Sequence, residues 1–214
     1  MRIFNVLDKD DIAEIKTAIE KCEWTDGSSS SIGYAKNRKK NFQISDRDSN
    51  FGAIKEKIIK AHELKECKAY TYYDKIINPR VASYGDGGHY DWHGDVTLLD
   101  NQRTDLSFTI FLSEPDEYDG GEMVIELIGK HFQIKRPAGS MAIYPSGLNH
   151  KVNPVTNGNR LVIVGWIKSH IKNEEHRERL LQMRVEMAKT EKLLGTQNMD
   201  GWERLYQQLV RDFS

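Results

Sequence analysis

The chain has 214 residues, a length that fits one domain with a modest appendage and is too short for two full domains. Its composition, 38% hydrophobic and 29% charged, is typical of a soluble globular protein. Its 31 Lys and Arg residues nearly cancel its 32 Asp and Glu residues, which argues against a global attraction to nucleic acid or to an acidic membrane. Two cysteines are too few for a disulfide framework, and neither a signal peptide nor a membrane-spanning apolar run stands out, so we expect a cytoplasmic protein.

Two helices are predicted before the first long strands. The first begins at the N-cap Asp8, with Asp11 three residues on as in a capping box, and is expected to end at Gly27 and the run Ser28–Ser31. The second is predicted over Asp48–Leu64. The apolar positions that define the two helices are Ile12, Ile15, Ile19 and Cys22, then Phe51, Ile54, Ile58, Ile59 and Ala61.

From Tyr70 to Lys168 the pattern becomes that of an all-β unit, because short runs rich in Val, Ile, Thr and aromatic residues alternate with Gly, Pro, Asn and Asp. Closely spaced strands of this kind predict a sandwich or a jelly-roll barrel. The predicted strands are Arg80–Ser83, Tyr90–Val96, Leu106–Leu112, Met123–Leu127, His131–Ile134, Met141–Tyr144 and Leu161–Ile167.

Beyond Ile167 the apolar spacing is helical again. One stripe contains Leu180, Met183, Met187 and Leu194, and another contains Trp202, Tyr206, Leu209 and Phe213. Stripe spacing alone does not separate packing on the barrel from contact with a second subunit, so a homodimer through these helices stays open. We therefore divide the chain into a barrel with its N-terminal helices, residues 1–170, and a C-terminal helical extension, residues 171–214.

A candidate metal site begins in the predicted strand Tyr90–Val96. His93 and Asp95 stand two residues apart, and residues i and i+2 of a strand point to the same face. His150 lies much later, next to another expected strand. Two histidines and one carboxylate can leave positions open on iron(II) for oxygen and a co-substrate, and zinc accepts the same ligand types, so the ligands by themselves allow either metal.

Arg160 follows His150 by ten residues, and a guanidinium binds a carboxylate through two hydrogen bonds. A flat hairpin turning at Asn157-Gly158 would place Arg160 about 15–20 Å from His150 along the strand. A shared site therefore requires residues 154–159 to carry the chain to a facing sheet, as happens in a jelly roll.

Several motifs together resemble the prolyl-4-hydroxylase-like iron(II)/2-oxoglutarate dioxygenases, and most closely their bacterial PKHD-type hydroxylase branch. The similarity extends over roughly residues 78–170 and includes Gly33-Tyr34-Ala35-Lys36-Asn37 and the terminal helices. The matching segments are Tyr84-x-x-Gly87-x-x-Tyr90-x-x-His93-x-Asp95, Arg103-Thr104-Asp105-Leu106-Ser107, Asp119-Gly120-Gly121-Glu122, Pro137-Ala138-Gly139 and His150-x-Val152-x-Pro154-Val155-Thr156-x-Gly158-x-Arg160.

The resemblance implies a double-stranded β-helix, mainly β with flanking helices, in which His93, Asp95 and His150 bind Fe(II). It also implies that Arg160 holds the distal carboxylate of 2-oxoglutarate and that Tyr84 helps to hold this co-substrate. Oxygen, with ascorbate as a possible reductant, completes the set of cofactors.

Other positions are less clearly assigned by the resemblance. Phe111 stands where some relatives have a tyrosine, and Ser107 or Thr109 is an alternative hydroxyl donor. On the substrate side, Arg103 matches an arginine of some relatives, and Tyr90 and Trp92 flank the ligands. Ion pairing of Arg103 and core packing of the two aromatic residues are the competing interpretations.

The expected reaction is hydroxylation of an unactivated carbon in a peptide, protein or amino acid, coupled to decarboxylation of 2-oxoglutarate to succinate. Two alternatives are kept. The first is a nucleic-acid demethylase of the same chemistry, for which the basic run Lys36, Arg38, Lys39 and Lys40 would supply a binding groove, although a solvated loop is the commoner meaning of such a run. The second is a jelly-roll protein that binds ligands without catalysis.

Overall fold

The computed structural model describes residues 1–30 and 38–214, which form sixteen strands and five α-helices. The strands are β1 (Arg2–Asn5), β2 (Thr25–Asp26), β3 (Lys39–Lys40), β4 (Phe42–Ser45), β5 (Tyr73–Tyr84), β6 (His89–His93), β7 (Leu98–Leu99), β8 (Gln102–Arg103), β9 (Leu106–Phe111), β10 (Tyr118–Gly120), β11 (Met123–Leu127), β12 (Lys130–Ile134), β13 (Ser140–Pro145), β14 (His150–Val152), β15 (Val155–Gly158) and β16 (Arg160–Ser169). The helices are α1 (Lys9–Ile19), α2 (Gly52–Glu63), α3 (Lys65–Thr71), α4 (Glu174–Leu194) and α5 (Asp200–Phe213).

Two antiparallel sheets form the body of the fold. The larger has the strand order β1-β13-β9-β16-β5-β4-β2, and the smaller has the order β12-β11-β14-β6-β3. Their facing sides share one apolar cluster, in which Ala82 and Val162 of the larger sheet meet Ile125 and Val152 of the smaller. This arrangement confirms the predicted jelly-roll fold.

The larger sheet is buried on both faces, and β9 shows how its residues alternate. One face of β9 packs under the N-terminal helices in a second apolar cluster, and the other face lines the space between the sheets. Alternation with period two is what a pleated strand imposes. The outer positions of β9 are Leu106, Phe108 and Ile110, and the inner ones are Ser107, Thr109 and Phe111.

Helix α1 begins as predicted but ends earlier than predicted. Asp8 caps it, and Asp11 accepts a hydrogen bond from the amide of Asp8, which completes the capping box. The predicted end at Gly27 is wrong, because α1 stops at Ile19 and residues 25–26 instead pair with β4. The apolar residues keep helical spacing as far as Cys22, but the pairing of β2 with β4 at the sheet edge requires extended backbone at Thr25 and Asp26.

Strand β5 is much longer than the predicted segment Arg80–Ser83, since it begins at Tyr73, directly after the unpredicted helix α3. The sequence at Asn78-Pro79 resembles a strand end because proline donates no hydrogen bond. The structure places an irregularity there instead. Asn78 has φ +44° and the register with β16 shifts between Val164 and Trp166, as expected for a β-bulge.

The C-terminal helices pack against each other, and α4 also packs against α3. Leu180 and Tyr206 are buried with Ile171, and the hydroxyls of Tyr72 and Tyr206 are hydrogen-bonded. Two residues of the predicted apolar stripes are not buried by this packing, since Leu194 is 55% exposed and Trp202 is 47% exposed. Within residues 1–30 and 38–214, no helix has both the length and the apolar character required to cross a membrane.

His62 of α2 is buried between the helices and the larger sheet. Its Nδ1 lies 2.7 Å from the carbonyl oxygen of Ile58, and its ring packs edge-on against Phe108 at 4.6 Å. Burial lowers the pKa of His62 to about 4, although the bond to Ile58 partly opposes this effect. The imidazole is therefore neutral in the folded protein at neutral pH.

This buried histidine is expected to make the fold sensitive to acid. Its folded pKa lies below its unfolded pKa, so its contribution to stability is complete above about pH 6.5 and is lost as the pH falls toward 4. The full shift corresponds to roughly 3 kcal/mol. In urea denaturation at pH 7 and pH 4.5, His62→Leu should lose less stability than wild type. His170→Leu, at an exposed position, should behave as wild type, and an equal loss in all three proteins would contradict the assignment.

Candidate active site

The two candidate histidine ligands lie on neighbouring strands of the smaller sheet. Strands β6 and β14 pair antiparallel with His93 directly opposite His150. Their ring centroids are 4.2 Å apart. The sheet register therefore brings together two residues that are far apart in the sequence.

Asp95 reaches the same place by a route that the sequence analysis did not predict. The predicted strand Tyr90–Val96 is too long, because β6 ends at His93 and Asp95 lies in the segment that follows. There the amide of Asp95 donates to the carbonyl of Ser146, 3.2 Å away, and its carboxylate accepts from the Ser107 hydroxyl at 2.5 Å. These contacts, and not strand alternation, aim the carboxylate.

The three side chains form a group that can hold a metal ion. One nitrogen of each histidine and one Asp95 oxygen all lie within 4.8 Å of one another. Nε2 of His93 lies 4.0 Å from Oδ1 of Asp95, and Nε2 of His150 lies 3.9 Å from Oδ2. Two imidazoles and one carboxylate converging on one point form the ligand set associated with non-haem iron(II).

Backbone contacts orient both rings for this role. Nδ1 of His93 lies 2.7 Å from the carbonyl oxygen of Asp91, and Nδ1 of His150 lies 2.9 Å from that of Leu148. A proton on each Nδ1 leaves the Nε2 lone pair directed at the centre of the group. Burial, and then the proximity of His150, lower the pKa of His93, which favours the neutral imidazole that binds a metal.

Two further contacts hold the group in place. The Tyr90 ring stacks on His93 with centroids 3.5 Å apart. The Ser107 hydroxyl also lies 2.8 Å from that of Ser146, so both serines support the Asp95 carboxylate and its loop. The sequence suggested Ser107 as an alternative co-substrate contact, whereas in the structure it serves the candidate metal ligand.

Arg160 and Tyr84 lie opposite each other on β16 and β5 of the larger sheet. His150 belongs to the smaller sheet, so residues 154–159 do cross between the sheets, as a shared site requires. Arg160 is 1% exposed, and its charged carbon lies 5.0 Å from the Tyr84 ring and 5.8 Å from the Phe111 ring. Its Nε and Nη1 have no hydrogen-bond partner among the described residues.

One cavity of about 200 Å³ connects these groups. His93, Asp95 and His150 line it together with Tyr84 and Arg160. A buried guanidinium with unsatisfied donors is costly unless a ligand fills the space beside it. The cavity is therefore suited to a small anion that contacts both Arg160 and a metal.

Of the three predicted substrate-side residues, Tyr90 lines the cavity and the other two do not. Arg103 hydrogen-bonds both carboxylate oxygens of Asp105, at 3.2 and 3.3 Å, and the carbonyl of Ser169. Trp92 lies 5.0 Å from the His131 ring. Ion pairing and packing thus account for Arg103 and Trp92.

The predicted basic run does not form one face in the described part of the chain. Lys39 lines the cavity, whereas Lys40 donates to the carbonyl of Asp86 and Arg38 is exposed. Lys36 lies outside the described residues, as does the matching segment Gly33–Asn37.

The sequence analysis missed Tyr144 of β13. It is buried, lines the cavity and packs its ring edge-on against His150 at 5.1 Å. In the sheet Tyr144 pairs with Ser107 of β9. It is therefore not at the position of Phe111, where some relatives have a tyrosine, since Phe111 lies four residues farther along β9. The available signal was its alternation with Ala142 along β13, which places both side chains on the inner face.

The chain matches known proteins over the part that forms this site. Residues 79–168 match a family model described as the 2OG-Fe(II) oxygenase superfamily. A PKHD-type hydroxylase of Hyphomonas neptunium is 40% identical over 183 residues, which cover 82% of this chain and 80% of that protein.

Two solved structures share the fold. A prolyl-4-hydroxylase from Pseudomonas putida matches with a TM-score of 0.54 and 16% identity, over 78% of this chain and 91% of that one. The viral collagen prolyl hydroxylase of Paramecium Bursaria Chlorella virus-1, in a 2OG complex, matches with a TM-score of 0.55 and 21% identity, over 78% and 95%.

Proposed function

This chain belongs to the 2OG-Fe(II) oxygenase superfamily, alongside the PKHD-type hydroxylases, and we propose that its cavity binds Fe(II) through His93, Asp95 and His150. The enzyme is a 2-oxoglutarate-dependent dioxygenase that hydroxylates its substrate. One observation carries the assignment of the site. His93 and His150 of the smaller sheet, with Asp95 beside them, line the same small cavity as Arg160 of the larger sheet, two of whose nitrogens lack partners.

The residues present fit both iron and 2-oxoglutarate. The donor set of two imidazoles and one carboxylate suits Fe(II). The two unpartnered nitrogens of Arg160 suit a carboxylate, which accepts two parallel hydrogen bonds from a guanidinium. When bound, iron, 2-oxoglutarate and oxygen supply the oxidising chemistry, in which one oxygen atom enters the substrate C–H bond and the other enters succinate as carbon dioxide leaves.

The protein's own groups prepare the site for this chemistry. Ser107 donates to Oδ2 of Asp95 and holds the carboxylate in its orientation toward the two histidines. The carbonyls of Asp91 and Leu148 hold the two imidazole rings. Arg160 orients the co-substrate through a charge-assisted pair that is shielded from water, where it is stronger than at the surface.

The substrate that we propose is a peptide, protein or amino acid, hydroxylated in a prolyl-hydroxylase-like reaction. The names of the two structural neighbours support the prolyl type. We further propose that the protein acts in the cytoplasm, a location consistent with the free thiols of Cys22 and Cys67. A homodimer through α4 and α5 remains a prediction.

An anaerobic titration tests the proposed site. Adding Fe(II) and then 2-oxoglutarate to the apoprotein should produce a visible metal-to-ligand charge-transfer band, and admitting oxygen should yield succinate. The band reports chelation of the metal by the co-substrate, so it appears whichever substrate the enzyme uses. A protein that stays colourless at saturating concentrations would be a binding module and not this enzyme. A screen of peptides and amino acids for succinate release and addition of one oxygen atom would then identify the substrate class.

A further inference from the structure

A second arginine, Arg80, lines the same cavity. It lies on β5 four residues before Tyr84, where it pairs with Val164 of β16, just as Tyr84 pairs with Arg160. Along the inner side of β16 the order is Arg160, Val162, Val164 and Trp166. Arg160 and Trp166 therefore mark opposite ends of this row, about 20 Å apart along the strand.

Arg80 belongs to the Trp166 end. Its guanidinium lies 5.4 Å from the Trp166 ring centroid, and its Nη1 donates to Oε1 of Gln43 at 3.3 Å. Trp166 in turn pairs with Ser107, the residue that donates to Asp95. The Arg80–Trp166 pair thus lies next to the candidate metal site, on the side of the cavity opposite Arg160.

Two polar atoms of this pair lack partners. Nε of Arg80 and Nε1 of Trp166 are both buried and make no hydrogen bond to any described residue. No carboxylate in residues 1–30 or 38–214 comes within 4.0 Å of the Arg80 guanidinium nitrogens. Asp46 and Asp95 act on it only at longer range, and the Asp95 carboxylate is already engaged by Ser107 and faces the two histidines.

Such a pair is costly when it is empty. A buried N–H without an acceptor loses its hydration without compensation. Burial lowers the pKa of Arg80, which is the direction that loss of hydration produces in a cation. An anion that accepts from both nitrogens would remove this penalty.

The co-substrate does not supply this anion. Under the proposed function, one carboxylate of 2-oxoglutarate binds the metal and the other binds Arg160, so its two charges are both used. The wall around Arg80 stays positive through Arg80 itself, and Lys39 lines the same cavity. Burial and then the charge of Arg80 lower the pKa of Lys39 to about 7. An acidic group is therefore missing from the substrate side of the site.

We propose that Arg80 and Trp166 bind a carboxylate of the primary substrate. The compound that is hydroxylated then presents a free carboxylate to this pair, as a free amino acid or the C-terminal residue of a peptide does. This inference rests on the proposed function, because that function assigns the other buried arginine, Arg160, to 2-oxoglutarate. A carboxylate suits the pair, since its two oxygens in one plane accept from a guanidinium and from the indole N–H together.

Binding of a simple carboxylate probe tests the proposal directly. The protein is saturated with Mn(II) and 2-oxoglutarate, and N-acetylglycine and N-acetylglycinamide are titrated by calorimetry. N-acetylglycine should bind, and its uncharged amide should bind far more weakly. Arg80→Leu should weaken binding of N-acetylglycine by roughly 30-fold or more, because one partner of a buried charge pair is lost. Arg80→Lys should give an intermediate loss.

The controls separate this inference from the proposed function. Arg38 is exposed and directly precedes Lys39. Arg38→Leu therefore removes one positive charge outside the cavity and should leave N-acetylglycine binding unchanged. Binding of 2-oxoglutarate to the Mn(II) form is measured first in every variant, and it should persist in Arg80→Leu. If wild type fails to bind 2-oxoglutarate, the proposed function itself fails.

Four results would overturn the carboxylate site while leaving the proposed function intact. The first is no binding of N-acetylglycine to the wild-type protein already saturated with 2-oxoglutarate. The second is equal binding of acid and amide by wild type, and the third is equal binding of the acid by wild type and Arg80→Leu. The fourth is tighter binding of inorganic phosphate than of N-acetylglycine.

Discussion

Replacing His93 with alanine is expected to abolish iron binding and all turnover of 2-oxoglutarate. Within the described residues, three side chains supply the candidate ligand atoms, so the variant keeps only two. Loss of a residue that merely supports a ligand already costs roughly 10- to 100-fold in metal affinity or activity, and loss of the ligand itself should exceed this. Equilibrium dialysis with Mn(II) or Fe(II) measures the first effect, and succinate release without added substrate measures the second.

His89→Ala provides the matched control for this change. His89 lies on the same strand β6, and its Nδ1 is 2.9 Å from the carbonyl oxygen of Gly87. It is not part of the candidate metal-binding group, so its variant should bind metal as wild type does. Circular dichroism should show that both variants are folded. Normal turnover in folded His93→Ala would refute the ligand assignment.

Replacing Arg160 with leucine is expected to weaken 2-oxoglutarate binding by roughly 30-fold to several thousand-fold, the range for removing one partner of a buried charge pair. Iron binding should be largely retained, because Arg160 lies outside the candidate metal-binding group. The dissociation constant of 2-oxoglutarate in the anaerobic Fe(II) form measures the loss directly. Arg160→Lys keeps the charge but loses the planar pair of donors, so it should recover only part of the affinity.

The same change should affect stability in the opposite direction when no ligand is present. In the free protein Arg160 is 1% exposed with two unpartnered nitrogens, so an apolar residue of similar size should be neutral or stabilising. Urea denaturation should therefore show Arg160→Leu at least as stable as wild type. Adding Mn(II) with 2-oxoglutarate should stabilise wild type more than the variant. The exposed Arg136→Leu should match wild type throughout, and equal stabilisation of all three proteins would exclude a role for Arg160 in co-substrate binding.

Much of the secondary structure follows from local patterns. The predicted strand Met123–Leu127 has the bounds of β11, and the capping box at Asp8 and Asp11 is present. The failures occur where pairing partners decide the outcome. The bulge at Asn78 lets β5 continue through a proline, because hydrogen bonds with β16 resume on either side.

The candidate site shows the same division. The spacing of His93 and Asp95 suggested a shared strand face, yet Asp95 lies past the strand and is turned inward by Ser107 and Ser146. Arg103 was as good a substrate candidate as Tyr90 by motif position. The structure separates them, since Arg103 pairs with Asp105 and Tyr90 stacks on the ring of the candidate ligand His93.

The amino-acid sequence by itself determined the family, the jelly-roll fold, and the candidate metal and co-substrate residues, because the order of the motifs and the chemistry of their residues are properties of the sequence alone. Only the tertiary structure decided which of these side chains meet. Sheet register sets His93 opposite His150, and the crossing between sheets brings Arg160 to their cavity. Arg80 and Trp166 had no signal in the sequence, because their significance lies in buried, unpartnered nitrogens that exist only once distant strands are paired.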